Sequence, residues 1–177
     1  KGLRHLFQDG LCSHAMTLLV TGAFLPGMAL SLGASNFVIG LLASLGPVAQ
    51  MLQIPAILLV EQVGMRKLLA VIFASLSRCC LFAAAAIPLF GSGEPWQVAA
   101  FFILMFFFFS TGSIAGCAWN SWIKDVIPEG ILGSFLARRM SAATALGAVL
   151  TIAAGFGIDG LKVWLGDSGR AYGVIFA

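Results

Sequence analysis

Polar residues in this chain are few and clustered, and between the clusters lie long uninterrupted apolar runs. The runs cover 10–32, 36–60, 68–90, 96–123 and 135–158, and another begins at 171–177. An α-helix needs roughly 20 residues to cross the hydrocarbon of a bilayer. Each of the first five runs is that long. None alternates polar and apolar positions as the strands of a membrane barrel do. The pattern predicts an all-α, polytopic transmembrane helix bundle, one unit over 1–177, with five complete spans and the start of a sixth. The chain opens on Lys1, and its last run, AYGVIFA, stops inside an apolar pattern. It reads as part of a longer protein. The first apolar run is too long for a signal peptide.

Composition moves the picture in one direction. The chain is 60% hydrophobic and 10% charged, where an ordinary soluble domain is about 25% charged. Most of its surface therefore needs lipid as solvent. A net charge of +3, scattered along the chain, excludes nucleic acid as a partner. Cys12, Cys79, Cys80 and Cys117 all sit inside apolar runs, which suits small packing residues and neither disulfides nor a metal site. The two histidines have no ligand spacing. No cofactor is expected. Neither an HExxH motif nor a nucleophile beside a base is present, so the chain is not expected to be an enzyme.

The connectors carry the orientation. Lys1, Arg4, Arg66, Lys67, Lys124, Arg138 and Arg139 fall on one side of the spans, and only Lys162 and Arg170 on the other. Cations collect in cytoplasmic loops, so the N-terminus and the loops after spans two and four are expected in the cytoplasm. A bacterial inner membrane is the expected location. The segment WNSWIKDVIPEGILGSFLARR concentrates these signals. Trp119 and Trp122 suit the headgroup layer. Lys124 and Asp125 mark the exit from lipid, and Pro128 stops span four from running into span five. Ser134 is the expected N-cap of the fifth helix. Arg138 and Arg139 then lie on its first turns, near anionic lipid headgroups.

Two connectors carry a resemblance. LLVEQVGMRK is similar to the short cytoplasmic loop of the major facilitator superfamily of transporters, Gly-x-x-x-Asp-Arg-x-Gly-Arg-Lys. Glu61 stands at the acid, Gly64 at the turn glycine and Arg66 at the last basic position, followed by Lys67. Ile57, Gln62 and Met65 depart from the pattern. DVIPEGILG resembles the same superfamily's loop between helices four and five, Asp-x-x-Pro-Glu-x-x-Arg-Gly. Asp125, Pro128, Glu129 and Gly133 fit it, and Leu132 replaces its arginine. The resemblance covers the chain as nearly one six-helix half of a twelve-helix carrier. It implies a C-terminal half as partner, a small-molecule substrate, and two halves rocking about a central cavity. It also implies that Glu61, Arg66 and Lys67 act in a cytoplasmic gate, with ion pairs weak enough to open. The rival reading makes the cations topology determinants alone.

Several polar residues fall within the runs. Arg78 lies about 16 Å beyond Lys67 along a helix, near the bilayer midplane. A cation there must face protein or water. Gln50 and Gln53, flanked by Pro47 and Pro55, lie at similar depth and offer it amide oxygens; an acid from a missing C-terminal half is the other candidate partner. A structural role for Arg78 is preferred over a substrate or coupling role. The superfamily lines its cavity with helices one, two, four and five, which here offers His14, Gln50, Gln53, Thr111 and Asn120. Asp9 sits at the membrane edge before the first span, five residues from His14.

A secondary transporter of a small solute, working by alternating access, is the expected function. The alternative is a non-transporting assembly factor or receptor on the same scaffold; the sparse polar content raises its weight a little, or else points to a lipophilic substrate. Loops this short leave no room for the cytosolic helices of an ATP-driven permease.

Overall fold

The computed structural model describes residues 2–90 and 95–165. These are almost wholly helical, and no strand occurs among them. Four helical stretches are long and apolar enough to cross a membrane: Asn36–Val63, Arg66–Ala86, Trp96–Val126 and Gly130–Gly157. A fifth is counted if the bent pair Leu6–Gly22 and Leu25–Ser31 forms one span. The sixth run at 171–177 lies outside the described residues.

Most elements extend beyond the apolar runs. Helix α1 covers Gly2–Leu19, so Asp9 lies within it and not ahead of it. A π-helical segment, Val20–Phe24, follows, in which Gly22 leaves helical geometry at ψ −142°. The chain bends by 45° there and continues as α2, Leu25–Ser31. Gly33 then adopts φ +84°. The Ala34 N–H bonds the Ala29 carbonyl at 2.9 Å and the Gly33 N–H bonds that of Leu30 at 3.0 Å. This Schellman pattern needs a left-handed residue, which glycine supplies without a Cβ clash.

Ser35 caps α3, Asn36–Met51, its Oγ accepting the Val38 N–H at 3.4 Å. The run breaks at Leu52 and resumes as α4, Gln53–Val63. Pro55 explains the break, because it has no N–H to bond Met51 and its ring crowds that carbonyl. Helix α5 spans Arg66–Ala86. The Ile87 N–H turns to the Ala84 carbonyl, and a 3₁₀ turn, Ile87–Phe90, carries Pro88. Helix α6 runs Pro95–Val126 and α7 runs Glu129–Leu165.

The fifth helix thus begins at Glu129 and not near 135, and Ser134 is not its cap. The Pro128 carbonyl accepts the N–H groups of Ile131 and Leu132, both at 3.1 Å, so the helix starts directly after the proline. Glu129 is the first residue of α7. Ser134 Oγ donates back to the Ile131 carbonyl at 2.9 Å.

Packing is organised around α6, which lies against α5 along most of its length and against α3 and α4 on another side. Their apolar core holds Met28, Leu42, Ala84, Phe101 and Met105, all at most 2% exposed. A buried hydrogen bond from Ser77 Oγ to the Phe108 carbonyl, 3.0 Å, ties α5 to α6. Helix α7 packs mainly against α1. Contacts advance together along that pair: Phe7 meets Phe135 edge-on, a Cβ at Gly10 would strike Arg139, and one at Gly147 would strike Leu18. The two helices therefore run parallel. Large apolar side chains such as Phe37, Ile54 and Phe156 point outward, each more than 70% exposed. That outer surface suits lipid.

Candidate functional site

The two turns singled out by sequence come together at one end of the bundle. Helix α4 closes on Gly64, whose φ of +69° is left-handed and whose N–H bonds the Val60 carbonyl at 3.2 Å. The turn leaves Arg66 and Lys67 as the first residues of α5. Asp125 stands on the last turn of α6, before Pro128. Arg66 Nη1 donates to both carboxylate oxygens of Asp125, at 2.7 and 2.6 Å. Among the described residues this is the one salt bridge. Beside it, Lys67 Nζ lies 5.8 Å from the centre of the Trp122 ring. These side chains, with Gly64 and Met65, border an open depression of about 710 Å³. Val60, Ala70 and Ala118 form a small buried cluster beneath, packed against Trp119.

The two side chains of the pair are 37% and 52% exposed. A pair this wet contributes ~0–1 kcal/mol, and the Lys67–Trp122 contact about 0.5–1 kcal/mol. Together they can bias a two-state equilibrium but cannot lock it. Glu61 is exposed on the last turn of α4, and Arg138 is exposed on α7. Gly133 has open space around its Cα, so nothing there requires glycine.

Arg78 is partnered differently from the expectation. Its Nη2 donates to Ser13 Oγ on α1 at 2.7 Å, and its Nη1 to the Ala74 carbonyl at 3.1 Å. Gln50 and Gln53 do not reach it. They bond each other at 3.2 Å, one helical turn apart on an exposed face. Ser13 was not identifiable from the sequence, because only the packing of the first and third spans brings it to Arg78. Thr111 is also occupied, its Oγ1 donating to the Phe107 carbonyl at 2.6 Å. His14 is half-buried on α1 and Asn120 exposed on α6.

Arg139 turns toward α6 and α1. Its Cζ lies 4.0 Å from the centre of the Trp119 ring, and its side chain passes over Gly10. A Cβ at residue 10 would come within 2.6 Å of Arg139 Nε. Trp119 is correspondingly turned inward, with its indole nitrogen buried. A signal for this pair does exist in the sequence: Trp119 and Arg139 are equidistant from Glu129, so a reversal at Pro128 sets them at matching depth.

Comparison with known protein families, characterised proteins and solved structures gave no match.

Proposed function

We propose that this chain is the N-terminal transmembrane half of a secondary transporter of the major facilitator kind, moving a small solute by alternating access. Its N-terminus and the turns at Gly64 and Pro128 would face the cytoplasm of a bacterial inner membrane. The observation that carries the reading is the two-bond pair between Arg66 and Asp125. It joins the two connectors whose motifs resemble the superfamily, although 59 positions separate them. Weakness is the useful property here. A contact of at most about 1 kcal/mol shifts a conformational ratio about fivefold, enough to favour one state without trapping it. The short turns on either side transmit the pair's geometry to α4–α5 and α6–α7. Parallel pairing of α1 with α7 also suits a unit that moves as one body.

The test is solute flux by the full-length protein in proteoliposomes, across a panel of small solutes. Asp125→Asn and Arg66→Ala should change initial rates severalfold at unchanged expression and fold. The swap Arg66→Asp with Asp125→Arg should restore them in part. Rates that stay at wild type in both single variants would reduce the pair to a topology signal. A wild-type protein that moves no member of the panel, yet folds and inserts, would favour a non-transporting protein on the same scaffold.

A further inference from the structure

The interior surface near the α6–α7 turn contains two hydrogen-bond donors with nothing to bond. Arg139 Nη1 and Trp119 Nε1 are both buried, and neither has a partner among the described residues. They belong to one assembly, because the guanidinium is stacked 4.0 Å over the indole. Arg139 lies about 15 Å along α7 from Glu129, at 1.5 Å per residue. The apolar stretch Gly130–Gly157 has 28 residues, about 42 Å, against ~30 Å of hydrocarbon. Arg139 therefore lies inside the hydrocarbon depth and beyond the headgroups. An intramembrane cation with a buried, unbonded donor is costly and marks a function. Arg78, another deep cation, spends its donors on Ser13 and Ala74, so it and Arg139 differ in kind.

We propose that Arg139 and Trp119 form a binding site for a monocarboxylate at the junction of α1, α6 and α7. The donor set selects the ligand. A planar guanidinium edge matches the two oxygens of a carboxylate, and the indole N–H adds a neutral donor on an adjacent plane. The guanidinium is one cation, with Asp9 close enough to act on it electrostatically. That balance suits a single negative charge and disfavours a dianion. Helix α7 packs mainly against α1, so the Arg139 side chain bridges to α6 where the two long helices are less closely joined. Gly10 is the clearance that lets it do so. The site deepens the transport reading by naming a substrate class, and it rests on that reading only for what happens to the ligand after binding.

Purified full-length protein in detergent is titrated with benzoate and acetate, against benzamide, acetamide and matched chloride, with melting temperature as the readout. A saturable rise with the carboxylates and none with the amides is expected. Arg139→Gln should abolish it, Trp119→Phe should weaken apparent affinity severalfold, and Asp9→Asn should tighten it by removing a competing carboxylate. No carboxylate-specific shift in the wild type overturns the site, and so does an undiminished shift in Arg139→Gln. Should Arg139→Gln fail to fold, unchanged affinity in Trp119→Phe overturns it instead. Binding without flux leaves the site standing and removes the carrier, whereas flux without carboxylate binding does the reverse.

Discussion

Arg78 shows how much a single charge demands of its surroundings. Its side chain sits on α5 at membrane depth and reaches α1 through one hydroxyl, Ser13 Oγ, 2.7 Å away. Hydrogen bonds between membrane helices contribute about 0.6 kcal/mol on average and up to about 1.7. Ser13→Ala should lower the stability of the purified protein within that range, and Arg78→Lys should be mild because an ammonium retains donors. In a double-mutant cycle with Arg78→Leu, the two losses should be non-additive by the same amount. Strict additivity in thermal or denaturant unfolding would show that the bond does not form. The need for a partner was legible from depth alone, but the partner's identity was not. Gln50 and Gln53 have the right depth and the wrong face, and only the mutual rotation of three helices decides between them and Ser13.

Turn chemistry was the most legible feature among the elements. Gly33, Gly64 and Pro128 each stop a helix for a reason that the residue itself carries: a left-handed φ, or a missing N–H. Gly64→Ala should therefore cost about 1–2 kcal/mol, the strain of a Cβ in the left-handed region, and should disturb the Arg66–Asp125 pair beyond it. Helix lengths were less legible. Apolar runs register where lipid begins, whereas helices continue past the ends of those runs, as α7 does from Glu129 and α1 from Gly2. At the α1–α7 contact, a Cβ on Gly147 would lie 2.5 Å from Leu18 Cδ1, the end of a flexible side chain. Gly147→Ala should be tolerated with a small loss of melting temperature. Gly147→Leu should separate the helices, and Leu18→Ala should recover part of the loss. Equal stability of wild type and Gly147→Leu would mean that α1 and α7 are not in close contact there.

At the scale of the molecule, the number and orientation of crossings can be read directly. Single cysteines at Gly64, Gly130 and Asn36, in a background lacking the four native ones, should divide two and one across the membrane. Impermeant maleimide on intact cells should label position 36 and spare 64 and 130. The opposite pattern would invert the orientation inferred from the cations. The bend in the first span was not foreseen, since nothing in VTGAF breaks the apolar pattern and Gly22 is one glycine among 21.

The parallel contact of α1 with α7 also has a consequence in time. Gly10 meets a residue made about 130 positions later, so at about 5–20 residues per second α1 waits on the order of ten seconds for its partner. During that interval it must stay in the bilayer with Asp9 and His14 along its length and without the helix it packs on. A segment synthesised early is thus completed late. Any ribosome stalled before Arg139 would leave α1 in the membrane as an unclaimed surface for quality control.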